Sequence, residues 1–122
     1  EMCIRDRLLL VAQVVQEESK GSGVEARAAV ANVIYNRIAS SRFPDSVSGV
    51  IFQKNQFTVA RDEDKLRAVV PVSKTIEAVN QIFVNGDRFM PEDVLYFRSS
   101  KKGTSWDKRV YYATFGGNSF FY

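Results

Sequence analysis

Two adjacent carboxylates, Glu17 and Glu18, stand at the end of a mostly apolar stretch, just before the turn Lys20-Gly21-Ser22-Gly23. A carboxyl group placed there meets two influences that raise its pKa. The apolar face beside it disfavours charge, and the negative end of a helix dipole repels it. An acid kept protonated near neutral pH can hand its proton to a leaving oxygen, the demand that a breaking glycosidic bond makes. Successive helical residues differ by about 100°, so only one of the pair can face a cleft. Val11, Val15 and Glu18 share one face at i, i+4 and i+7, which favours Glu18. The plain alternative is a pair of solvated glutamates at a helix end.

The residues that are missing narrow the chemistry further. The chain has no histidine and a single cysteine, Cys3. Ser-His-Asp and Cys-His arrangements are therefore excluded, an internal disulfide is impossible, and a structural zinc site has too few ligands. Proton transfer falls to a carboxylate with a raised pKa, or to Lys, Tyr or Cys. Net charge is only +3, and much of it sits in residues 98–109. Arg98, Lys101, Lys102, Lys108 and Arg109 there face one acid, Asp107, around Trp106. Such a loop suits a polyanion, whether nucleic acid or an acidic cell-wall polymer, or is simply a solvated loop.

These groups need a scaffold, and 122 residues with 45% hydrophobic and 25% charged content suit one soluble globular domain. The longest apolar run, Leu8 to Ala12, is far too short for a membrane span. Residues 1–7 fit neither a signal peptide nor an amphipathic pattern, and read as a foreign or disordered start before a single domain at 8–122. Apolar spacing predicts a first helix over 8–18 and a second over 24–39, the latter apolar nearly all round and hence central. A third helix is expected over 73–84, with Ser73 as its N-cap and Ile76, Val79, Ile82 and Phe83 on one face. Residues 47–53 form a short apolar element of undecided type, and Asp62, Glu63 and Asp64 read as a solvated loop. The last third changes period, predicting strands at 93–98, 109–115 and 119–122, the last two joined at Gly116-Gly117. Helices first and a small antiparallel sheet last make an α+β domain.

The ordered set of motifs is more specific than any one of them. Glu18-Ser-Lys-Gly21 is followed by Glu25-Ala-Arg-Ala-Ala-Val-Ala-Asn-Val-Ile-Tyr-Asn36-Arg37. Then come Phe43-Pro44, Val47-Ser-Gly-Val50-Ile51-Phe52, Gln56-Phe57-Thr58, Leu95-Tyr96-Phe97, Trp106, and the ending Gly116-Gly117-Asn118-Ser-Phe-Phe-Tyr122. Over about residues 8–122 this resembles the bacterial cell wall hydrolase family that includes the spore cortex-lytic enzymes, within the lysozyme-like lytic transglycosylases. Departures occur: Glu-Ser-Lys-Gly-Ser stands where the family has Glu-Ala-Arg-Gly-Glu, and Phe57-Thr58-Val59 where it has Phe-Ser-Pro. Asn118 occupies a position where many members have His.

The resemblance implies a lysozyme-like α+β fold, a helical lobe with a small antiparallel sheet, whose cleft binds peptidoglycan polysaccharide and not nucleic acid. It implies Glu18 as the catalytic acid and a place in the cell wall, spore cortex or secreted space, or a phage lysin; the residues themselves offer no metal site, and no cofactor is expected. The reaction implied is lytic transglycosylation between MurNAc and GlcNAc, giving 1,6-anhydro ends. A hydrolysing muramidase is the alternative, and it normally needs a second carboxylate some 5–9.5 Å away. Glu25, Asp62, Glu63 and Asp64 are the candidates for it. Glu25 reads more simply as a first-turn acid stabilising its helix. Expected sugar contacts are hydrogen bonds from Gln56, Thr58, Tyr96 and Asn118, and stacking on Phe57, Tyr96 and Trp106. Phe57 and Phe97 also read as core, and Asn36 with Arg37 as ties from the central helix to its neighbours. A non-catalytic wall-binding or polyanion-binding module is the other class of reading.

Overall fold

The computed structural model describes residues 3–122. Part of the start expected at 1–7 thus lies outside the described residues, at positions 1 and 2. Helix α1 runs Ile4–Glu18, α2 Val24–Ala39, α3 Val47–Ile51, α4 Glu63–Arg67 and α5 Ser73–Phe83. Strands β1 Tyr96–Ser99, β2 Tyr111–Phe115 and β3 Asn118–Phe121 follow. Among the described residues no helix is long and apolar enough to cross a membrane.

Eleven of the sixteen residues of α2 are buried, as its all-round apolar pattern predicts. It packs beneath α1 and α5, and Leu10, Val14, Val30, Val33, Ile34, Val79 and Ile82 form the heart of the core. A chain of polar contacts links the helices inside this lobe. Arg27 Nη1 donates to Thr75 Oγ1 at 2.8 Å, and that hydroxyl donates to Gln16 Oε1 at 2.7 Å. Gln13 Nε2 donates to the carbonyls of Arg67 and Val69, holding the connection out of α4 against α1.

Several expectations need correction. Helix α1 begins at Ile4 rather than Leu8, because its charged first turn projects into solvent and needs no buried stripe. Ser73 is the first residue of α5, and Val72 precedes it as the cap. Ile76 is exposed; the buried face is Thr75, Ala78, Val79 and Ile82. The acidic trio is the start of a helix, with Asp62 accepting from the Lys65 amide at 3.1 Å as the N-cap of α4. The undecided element at 47–53 is α3, capped by Ser46, whose Oγ accepts from the Gly49 amide.

The sheet has the order β1-β3-β2, with both pairs antiparallel. Its central strand carries Phe120 and Phe121, both fully buried. Gly116, the first residue of the two-residue β2–β3 loop, has φ +58°, the conformation such tight hairpins assign to glycine. A Cβ there would lie 2.8 Å from both Ala26 Cβ and Ser22 Oγ. The hairpin tip therefore rests directly on the turn between α1 and α2. That contact brings Asn118 beside the end of α1.

Candidate active site

Where the sheet meets the helical lobe there is a cleft of about 470 Å³. Glu18 enters it as the last residue of α1. The helix end is fixed from two sides. Ser19, buried, donates its hydroxyl to the Val15 carbonyl, and Asn118 Nδ2 donates to the Glu18 carbonyl at 3.2 Å. Asn118 thereby satisfies one of the carbonyls a helix C-terminus leaves open. Glu18 has a raised pKa, first because burial disfavours its charge and then because Glu17 repels it; Arg37 acts in the opposite direction. A carboxyl so placed keeps its proton to higher pH than a solvated glutamate does, and can release it to a bound ligand.

Of the other residues singled out in the sequence, Gln56, Phe57, Thr58 and Asn118 line the same cleft. Gln56 and Thr58 are exposed and free to meet a ligand. Phe57 is only 4% exposed, its ring 6.2 Å from that of Phe97. It forms the cleft floor, and the stacking expected of it is corrected to packing, since so covered a ring offers no face to a sugar. Tyr96 and Trp106 do not line this cleft. The Arg109 guanidinium lies 3.6 Å from the centre of the Tyr96 ring, and Trp106 meets Phe121 edge-on at 5.0 Å with Arg98 4.5 Å from its own ring. The loop arginines are thus held on aromatic faces, leaving Lys101, Lys102 and Lys108 as its exposed cations.

None of Glu25, Asp62, Glu63 and Asp64 lines the cleft. Glu25 is exposed in the first turn of α2, and Glu63 pairs with Arg67 at 2.6 Å. Among the described residues Glu17 is the other carboxylate on the cleft wall, held by Lys20 at 3.2 Å.

Two of the cleft's cations, Arg37 and Lys20, carry no site role in the sequence reading, whereas Arg98 belongs to the basic loop singled out there. Arg37, assigned only to tying α2 to its neighbours, does donate from Nε to the Leu95 carbonyl at 2.7 Å. It also lines the cleft, as do Lys20 and Arg98. The signal available was a charged residue in the last turn of a helix that is apolar on most sides.

Comparison with known proteins places this geometry among cell-wall enzymes. Residues 21–122 match the family described as Cell Wall Hydrolase. The spore cortex-lytic enzyme of Oceanobacillus iheyensis is 35% identical over 104 residues, covering 80% of this chain and 34% of that protein. That of Bacillus subtilis is 36% identical over 97 residues, covering 80% and 31%. The chain therefore spans about a third of the length of these curated relatives. The catalytic domain of Bacillus cereus SleB superposes with a TM-score of 0.81 at 30% identity, over 100% of this chain and 94% of that one. The catalytic domain of the germination-specific lytic transglycosylase SleB from Bacillus anthracis gives 0.80 at 30% identity, over 98% and 97%. The lysozyme-like α+β class expected from the sequence is the class observed.

Proposed function

Because the chain belongs to the cell wall hydrolase family, we propose that it cleaves peptidoglycan glycan strands between MurNAc and GlcNAc, with residues 8–122 as one catalytic domain. The observation that carries this reading is the half-buried Glu18 carboxyl, its pKa raised, at the wall of an open polar cleft. The relatives named as spore cortex-lytic enzymes, and the one named as a lytic transglycosylase, support it. Glu18 is the general acid. It protonates the glycosidic oxygen as the bond to the muramic C1 breaks, and the carboxylate left behind then takes a proton from the 6-hydroxyl of the same sugar. That oxygen closes on C1, and no water is consumed.

The transglycosylase outcome is favoured over hydrolysis because the expected second carboxylates lie off the cleft. An internal hydroxyl held near C1 has an effective concentration far above that of a free nucleophile, and needs no separate group to activate it. Gln56 and Thr58 hydrogen-bond the sugar substituents. Mass spectrometry of muropeptides released from purified peptidoglycan tests the reading. Products one water lighter than hydrolysed fragments, with 1,6-anhydro ends, are expected; reducing ends alone would establish a hydrolase and bring Glu17 forward as its second carboxylate.

The exposed lysines of the 98–109 loop serve attachment to the wall rather than the chemical step. Peptidoglycan carries carboxylates, and exposed charges attract over about 8–10 Å at physiological salt. Lys101→Gln with Lys102→Gln is expected to weaken sedimentation with whole cell walls at low salt, and added salt should produce the same loss in the parent chain. Identical wall binding by both chains at low and high salt would remove the loop from this role.

A further inference from the structure

We propose that Arg37 is a positioning residue for proton transfer: fixed in an aromatic cage beside Glu18 without pairing to it, its guanidinium stabilises the carboxylate that Glu18 becomes. This rests on Glu18 being the general acid. Arg37 is 4% exposed and lines the Glu18 cleft from the last turn of α2. Its guanidinium carbon lies 5.0, 5.3 and 5.7 Å from the ring centres of Phe43, Phe57 and Tyr96. The Nε bond to the Leu95 carbonyl fixes its plane, while Nη1 is buried with no hydrogen-bond partner. Among the described residues no carboxylate oxygen lies within 4.0 Å of it.

A buried cation with no paired anion is costly, and the core tolerates it here through three ring faces and one carbonyl. Structural need alone does not explain that arrangement, since an apolar side chain would fill the cage without a buried charge. A direct Arg37–Glu18 ion pair would keep the acid ionised and unable to donate. Held back by its cage, Arg37 leaves the resting proton in place and lowers the energy of the anion once the proton moves to the glycosidic oxygen. The C1–O electron pair leaves with that oxygen. The negative charge then resides on Glu18 until the proton of the attacking hydroxyl neutralises it again.

The charged groups on the cleft wall with Glu18 are Glu17 from α1, Lys20 from the following turn, Arg37 from α2 and Arg98 from β1; Asn118 from β3 and residues 56–58 are neutral. Lys20 is exposed and paired to Glu17, and Arg98 donates to the Ser105 carbonyl at 2.7 Å. Arg37 is the one of these cations that is fully buried, and the one that acts against the raised pKa of Glu18.

The test is the pH profile of glycan cleavage for Arg37→Gln and Arg37→Lys, with the Glu18 carboxyl titrated in parallel by carbon-13 NMR. Without the positive charge, Glu18 should hold its proton to higher pH, so the alkaline fall in activity moves up. At the same time the maximal rate should drop on the order of 10-fold to 100-fold, as for loss of a group that meets charge developing in the transition state. Arg37→Lys should restore both toward the parent values. A lower rate with an unmoved Glu18 titration would reduce Arg37 to a structural role and overturn the inference. Should Arg37→Gln not fold, replacement of Arg37 by citrulline through semisynthesis keeps shape and hydrogen bonds and removes only the charge. The carboxyl titration is read without substrate, so it stands even if Glu18→Gln proves active and the general-acid reading fails.

Discussion

Glu18→Gln is expected to fold normally and to lower the rate of glycan-strand cleavage by at least about 100-fold, the lower bound usual for general acid catalysis. The amide keeps the size of the carboxyl and the backbone carbonyl that Asn118 binds, but it has no acidic proton to transfer to the leaving oxygen. It should not destabilise the fold near neutral pH. Burial raises the Glu18 pKa, so the native chain holds this proton more tightly than the unfolded chain, and the associated stability is lost as pH rises through the native value. A neutral amide carries no such loss. Glu17→Gln should cost little rate, since Glu17 is tied to Lys20 at the cleft edge. It should still leave a signature: Glu17 is one cause of the raised Glu18 pKa, so removing its charge moves the alkaline fall in activity to lower pH. Assays across pH on both variants, with circular dichroism to confirm folding, check this. Equal rate losses from the two substitutions would sink the assignment of the acid.

The expectation that only one of the two adjacent glutamates can face a cleft is corrected by the fold, since Glu17 and Glu18 both line it, but the signals that favoured Glu18 are local. Helical periodicity put Glu18 on the face of Val11 and Val15, both now buried, and the glycine-bearing turn fixed where the helix stops. The same logic located α2, α5 and the three strands to within a few residues. It failed where an element is short or where burial depends on a partner far along the chain. Helix α4 buries only Leu66, too little to show a period, although Asp62 three residues before Lys65 was a legible cap. In α5 the buried position is Thr75 rather than Ile76, because Arg27 and Gln16, distant in sequence, supply its hydrogen bonds. Arg37 was legible as a tie and not as part of the cleft, because the rings of Phe43, Phe57 and Tyr96 converge on it only once the chain has folded. Trp106 read as the aromatic least suited to a core, yet Phe121 on the central strand gives it an edge to pack on.

The largest stability effect outside the apolar core is expected at Asn32. Its side chain is fully buried at 0% exposure in the middle of α2. Oδ1 accepts from the amides of Phe89 and Met90, both at 3.1 Å, and Nδ2 donates to Asn36 Oδ1 at 3.2 Å. Asn36 then donates to the carbonyls of Pro91 and Val94, so two side chains one helical turn apart pin the whole segment that leads into β1. Farther along that segment the Val94 amide donates to the Pro91 carbonyl and the Leu95 amide to that of Phe121, but the Phe89 and Met90 amides rely on Asn32. Asn32→Ala leaves the Met90 amide buried without a partner, the Phe89 amide partly so, and a small cavity. A buried unsatisfied group costs about 1–3 kcal/mol, so the sum is roughly 2–4 kcal/mol. For a domain of this size that corresponds to a fall in Tm of roughly 8–20 °C. Asn36→Ala should cost less: it leaves one side-chain donor, Asn32 Nδ2, and two carbonyls short of a partner, whereas Asn32→Ala orphans two backbone amides, and a carbonyl left short of partners is better tolerated than an orphaned amide. Thermal unfolding of the two variants measures the difference. A Tm within about 3 °C of the parent for Asn32→Ala, or a larger drop for Asn36→Ala, would show that these amides are not what anchors β1 to the central helix.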